Sequence, residues 1–190
     1  ARITSGEIIF QGQDLLKLKE KDLEAIRGRD ISYIFQEAAA SLNPVLTIGS
    51  QITESIILHQ DKSKKEAEVL ALELLQSVRL AHPGDPIFRS YPHQLSGGMN
   101  QRAMIAMALS SHPRLLIADE PTTALDVTIE KEIIRMLLEL KQRFNFSILF
   151  ITHNLALAEK LASRTVIMYQ GRIVEKTHPH ALELAAAVFR

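Results

Sequence analysis

Cysteine is absent from the 190 residues, and neither sign of charge prevails, with Lys+Arg and Asp+Glu both at 22. The first absence excludes disulfides and cysteine-ligated metal and fits a reducing compartment. The second predicts no nucleic-acid partner, because there is no basic excess to neutralise a phosphate backbone. No apolar run approaches the roughly 20 residues of a membrane span and no signal peptide opens the chain, so membrane association is expected to go through a partner. Internal repeats and low-complexity segments are lacking too. None of the eight glycines begins a G-x-x-x-x-G-K-[ST] pattern: Gly6 and Gly12 lie one residue too far apart, and no glycine precedes a lysine. Such a loop, with its lysine and nest of N–H groups, is a common phosphate cradle, and these residues do not contain one. The length fits one ordinary domain, or one core with a subdomain.

What is present concentrates between Leu95 and Asp126, which read LSGGMNQRAMIAMALSSHPRLLIADEPTTALD. Ser96-Gly97-Gly98 opens a helix whose Ala103, Ala106, Met107 and Leu109 are expected to be buried. A helix start offers unpaired N–H groups and a partial positive charge, and glycine lets a phosphate come close to them. A capped helix with tight packing accounts for the same three residues. Leu115 to Ala118 is continuously apolar, as in a parallel strand covered on both faces, and Asp119-Glu120 stands at its carboxyl end. Two adjacent carboxylates there suit magnesium and a general base, although a capping or salt-bridging pair is the competing explanation. Asp126 begins a long helix packed through Val127, Ile133, Ile134, Leu137 and Leu138, and serves as an N-cap in any protein.

Around this stretch, residues 5–12 predict a strand with Ile8 and Phe10 on one face, and residues 19–27 a short polar helix. Ile31 to Phe35 is a second strand, ending at Gln36. From Ile48 to Leu80 the spacing is helical, with Ile52, Ile56 and Ile57 on one face and a stripe from Ala67 to Val78. Residues 81–92 are loop, with His82 and His93 as solvated residues. Ser147 to Ile151 is another buried strand, and Thr152-His153 follows it; a lone histidine in that place is more often structural. Residues 156–162 form a helix, and 166–169 with 172–174 a hairpin around Gln170-Gly171. His178, Pro179 and His180 belong to a tail of disordered or packing residues.

LSGGMNQ resembles the signature motif of the ABC-transporter ATPase family, LLIADE its Walker B strand, ALD its D-loop and ILFITHNLALAE its H-loop. IFQE followed by SLNP resembles the Q-loop of the peptide-importer branch, with Ala38, Ala39 and Ala40 where that branch carries a proline and bulkier residues. The resemblance implies an α/β fold: a P-loop NTPase-type, mostly parallel sheet core with an inserted helical subdomain and small antiparallel β elements. Residues 1–47 would hold β elements and the Q-loop, 48–110 the helical subdomain with the signature helix, and 111–190 Walker B, D-loop, H-loop and C-terminal hairpin. It further implies that Gln36 and Asp119 hold Mg2+, that Glu120 polarises the attacking water, and that His153 reaches the γ-phosphate. Ser96, Gly97, Gly98, Gln101 and Asp126 would join the ATP-binding set, the signature glycines serving a nucleotide on a second, head-to-tail ABC ATPase domain.

The activity expected of the intact protein is ATP hydrolysis that energises an importer, with peptides as cargo. Its other partners would be transmembrane permease subunits and, indirectly, a substrate-binding protein, with the chain peripheral on the cytoplasmic face of the inner membrane. In this family the first strand, P-loop and first helix precede the equivalent of Ser5, so these 190 residues are expected to be a truncated piece that hydrolyses ATP negligibly. The alternative is a non-catalytic nucleotide-binding or regulatory interaction module. A chromosome-maintenance ATPase also carries a signature helix, but the interval from Leu80 to Leu95 has no room for a coiled-coil insertion.

Overall fold

The computed structural model describes residues 3–82, 86–123, 125–177 and 185–189. Strands β1 (Ile9–Phe10) and β2 (Gln13–Asp14) form a two-residue antiparallel ribbon. Its turn residues Gln11 and Gly12 both have positive φ, 51° and 80°, the signature of a tight hairpin turn. The longer strand expected over 5–12 is not formed. Ile8 and Ile9 are 48% and 54% exposed, so the alternation has no buried face behind it. Helix α1 (Glu20–Ile26) and strand β3 (Ile31–Ile34) follow, and β3 alternates so that Ser32 and Ile34 are buried.

After Gln36 comes a single helical turn, α2 (Ala38–Ser41), then α3 (Ile48–Gln60), α4 (Lys64–Ser77) and α5 (Gly97–Leu109). Local chemistry sets these ends. Thr47 accepts from the Ser50 N–H, Asp61 ends α3 in the left-handed region, and Ser63 with Glu66 makes a reciprocal capping box. The buried stripe of α3 is Ile48, Ile52 and Ile56, at four-residue spacing. Ile57 departs from expectation at 42% exposed, because one further residue rotates it out of that stripe. In α5, Ala103, Ala106 and Leu109 are buried as the spacing predicts, and so are Met104, Ile105 and Ala108; Met107 is only half-buried. The loop region 81–92 contains one short 3-10 turn, Pro86–Arg89, and a second, Pro92–Gln94, leads to the signature.

Strand β4 (Leu115–Asp119) leads to α6 (Val127–Phe144), β5 (Ser147–Thr152), α7 (Leu155–Leu161), and the antiparallel pair β6 (Arg164–Tyr169) and β7 (Arg172–Thr177). Val127, expected in the packed face of α6, is 64% exposed, since it is the first residue of the helix and precedes the stripe of Ile133, Ile134, Met136, Leu137 and Leu140. A last strand, β8 (Ala185–Phe189), pairs with both β5 and β6 and completes a six-stranded sheet in the order β3-β4-β5-β8-β6-β7, parallel except at β6–β7. No strand was legible there, because an alanine-rich run shows neither alternation nor strand propensity; two flanking backbone ladders decide it. His178, Pro179 and His180 lie outside the described residues.

The core is a single hydrophobic cluster that takes Ile34, Leu116 and Phe150 from the sheet and Ile56, Ile105 and Ile133 from the helices. Each such side chain contributes about 1.5–3 kcal/mol by leaving water. Strands β3, β4 and β5 are adjacent and parallel, so their carboxyl ends open on one edge of this core.

Candidate active site

Four of the residues singled out in the sequence meet at that edge. Gln36 lies two residues beyond β3, Asp119 closes β4 with Glu120 next to it, and His153 follows β5. Glu120 is the hub. Its Oε2 accepts from Gln36 Nε2 at 3.2 Å and from the Thr123 hydroxyl at 2.7 Å, and its Oε1 is 3.1 Å from His153 Nδ1. The Glu120 backbone is held as well, its N–H donating to Ile151 O at 2.9 Å and its carbonyl accepting from Thr123 N–H at 3.3 Å. At φ 44° Glu120 occupies the left-handed region, which costs a non-glycine residue on the order of 1–2 kcal/mol. Such backbone persists only where surrounding contacts over-determine it, and here strand, turn and side-chain bonds all do so.

The Thr123 hydroxyl first, and His153 second, hold the Glu120 carboxyl below its ordinary pKa, against the opposing push of burial. Hydrogen bonds to the charged form therefore outweigh desolvation, and the group is held as a carboxylate. Beside it, Asp119 Oδ2 accepts from the Tyr33 hydroxyl at 2.5 Å. Parallel register pairs Tyr33 with Ile117, so Asp119, two residues on, shares the face that Tyr33 occupies. Burial first, and then the Asp119 carboxylate, push the Tyr33 phenol up to about 12, which keeps it a donor.

Among the described residues no group of three or more His, Cys, Asp and Glu side chains is arranged to hold a metal ion. A self-contained cage is therefore lacking. Asp119 and Gln36 each offer an oxygen of the kind taken by magnesium, which binds through one or two carboxylates and fills its shell with water and substrate phosphate.

Ser96, Gly97 and Gly98 lie elsewhere. Ser96 caps α5, accepting from Met99 N–H at 3.3 Å. The two glycines open a cleft of about 410 Å³ against the start of α6, bordered by Arg102, Leu125, Asp126 and Ile129. A Cβ on Gly98 would come within 3.0 Å of Ile129 Cγ2, so glycine is what lets the two helix starts approach. Asp126 borders the cleft but spends its carboxylate on the α6 cap, accepting from Thr128 and Ile129 N–H, both at 3.0 Å. Gln101 does not line this cleft; it is 4% exposed and its Nε2 has no hydrogen-bond partner. It lies on the buried side of α5, apart from the cleft that Ser96, Gly97 and Gly98 open. Neither carboxylate of the Asp119-Glu120 pair lines the cleft.

Sequence reasoning passed over Thr123 and Tyr33. Thr123 was detectable in principle, standing three residues after Glu120 in a proline-containing turn. Tyr33 was not, because its partner depends on strand register.

A mostly parallel sheet with a carboxylate hub at its strand ends, and a glycine-led helix start apart from that hub, describes an α/β domain of the kind that binds ligands at the carboxyl ends of its strands. The family model described as "ABC transporter" matches residues 1–123, and the chain belongs to that family. It is 52% identical over 174 residues to the oligopeptide transport ATP-binding protein AppD of Bacillus subtilis, covering 92% of this chain and 53% of that protein. It is 46% identical over 181 residues to the dipeptide transport ATP-binding protein DppD of Escherichia coli K12, covering 95% and 55%. The chain thus spans about half the length of the curated relatives it matches. Among solved structures, the dimeric ATP-binding cassette MJ0796, in a post-hydrolysis state bound to ADP and Pi, superposes with a TM-score of 0.81 at 28% identity, covering 94% of this chain and 75% of that one.

Proposed function

We propose that these residues belong to the ATP-hydrolysing subunit of an importer that takes up peptides. The observation that carries this reading is the convergence of Gln36, Thr123 and His153 on the Glu120 carboxylate, with Asp119 alongside, at the ends of three neighbouring parallel strands. The names of the relatives support peptide cargo, and the dimeric neighbour supports pairing of two cassettes. In that pairing the amides at Ser96-Gly97-Gly98 of one copy close on the γ-phosphate held by the other, which accounts for a cleft that neither Asp119 nor Glu120 lines. Glu120 accepts the proton of the attacking water, His153 and Gln36 orient water and γ-phosphate, and Asp119 with Gln36 offers oxygens to magnesium. Magnesium, when bound with the nucleotide, supplies neutralisation of the phosphate charge.

Among the described residues no helix is long and apolar enough to cross a membrane. In this reading the chain docks on permease subunits at the cytoplasmic face of the membrane, and a substrate-binding protein supplies them with cargo. An apolar groove of about 450 Å³ between α3 and α4, with Ile57, Leu58 and Phe88 in its lining, supports that docking. With no G-x-x-x-x-G-K-[ST] among them, the 190 residues alone turn over ATP negligibly. The test is Glu120→Gln in the complete protein: turnover is abolished and an ATP-bound dimer accumulates in light scattering. Wild-type turnover in that variant overturns the reading.

A further inference from the structure

Among the described residues Glu120 has three side-chain partners, and they differ in how they are held. Gln36 is exposed in the loop beyond β3, and the His153 side chain is 62% exposed beyond β5, so both sit on segments separate from the turn that carries Glu120. Thr123 belongs to that turn. Its N–H closes the turn on the Glu120 carbonyl at 3.3 Å, and its hydroxyl reaches Glu120 Oε2 at 2.7 Å, the shortest of the three contacts. The turn is pinned from both sides: Glu120 N–H donates to Ile151 O, and the Thr122 hydroxyl donates to Glu130 Oε1 of α6 at 3.0 Å.

We infer that Thr123 is a positioning residue which keeps the Glu120 carboxylate aimed while Gln36 and His153 move to the nucleotide. The inference rests on the proposed role of Glu120 and adds a residue to it. A carboxylate has about four lone-pair sites. The Thr123 hydroxyl takes one on Oε2, and withdrawal of His153 clears Oε1 to accept the proton of the attacking water. Gln36 and His153 then serve the phosphate without releasing the base. Without the Thr123 hydroxyl, the carboxylate of a residue already in left-handed backbone has no donor from its own turn and samples other rotamers.

The experiment compares Thr123→Val, which keeps the shape and removes the donor, with Thr123→Ser, which keeps the donor, in steady-state ATP hydrolysis by the complete protein. Loss of a hydrogen bond to a charged group predicts a fall in kcat of about tenfold or more for Thr123→Val with KM for magnesium-ATP unchanged, and Thr123→Ser within about twofold of wild type. Thermal unfolding verifies that each variant is folded; if Thr123→Val is not, Thr123→Ala carries the same expectation. Wild-type kcat in the donor-free variant overturns the inference. So does an equal fall in Thr123→Ser, or an effect confined to KM. Glu120→Gln run in parallel separates the two levels: wild-type turnover there removes the underlying reading, whereas an inactive Glu120→Gln beside a fully active Thr123→Val removes only the role of Thr123.

Discussion

The Tyr33 hydroxyl donates to Asp119 Oδ2 at 2.5 Å, across a strand register that pairs Tyr33 with Ile117 rather than with Asp119 itself. The contact is diagonal, between residues two apart on one face of a parallel pair, a separation that a tyrosine spans and a shorter side chain does not. It ties the β3 edge of the sheet to the acidic end of β4.

This contact sets how Tyr33 titrates. Its pKa is raised to about 12 in the folded chain, so the stability it contributes is fully present below the ordinary phenol value of about 10 and is lost as pH rises through 12. Phenolate absorbance in an alkaline titration is expected to show a late component that vanishes in Tyr33→Phe. In Asp119→Asn the component moves to lower pH but stays above the ordinary value, because burial, the larger cause, remains.

Asp126 caps α6 with bonds from two backbone N–H groups. Replacing it with alanine leaves both donors unpaired and is expected to cost about 1 kcal/mol in urea unfolding, seen as a lower midpoint at unchanged m. Asn, which retains an accepting oxygen, is expected to stay within a few tenths of a kcal/mol of wild type.

Glu120 governs part of the acid limb. Its folded pKa lies below the ordinary carboxylate value, so its contribution is present above the unfolded pKa and is lost as pH falls through the folded one. In a stability profile against pH, the gap between wild type and Glu120→Gln is expected to close as pH drops through the carboxylate range. A gap that widens toward acid contradicts the assigned direction. Thr123→Val, which removes the first cause of the depression, is expected to bring the Glu120 pKa back toward the ordinary value.

Much of the local structure was legible because it is written in neighbouring residues. The cap at Ser96, the capped start of the long helix at Asp126 and the apolar run ending in Asp119-Glu120 all depend on chain segments a few residues long. The family, too, was readable, since its motifs must agree in order and spacing. Periodicity erred at the margins of its stripes: it put Ile57 and Val127 inside, and one helical step or one terminal position exposes each of them.

What the amino-acid order determined by itself was the kind of chemistry carried, a carboxylate pair at a strand end and glycine amides at a helix start, because those signals are local. The packed chain decided which groups meet. That β3, β4 and β5 are neighbours brings Gln36 and His153 to Glu120. Register gives Tyr33 to Asp119, α5 turns Gln101 inward, and β8 enters between β5 and β6. Each of these is a contact between residues far apart in the chain, chosen by burial and strand pairing summed over the whole core, and no window of sequence contains that sum.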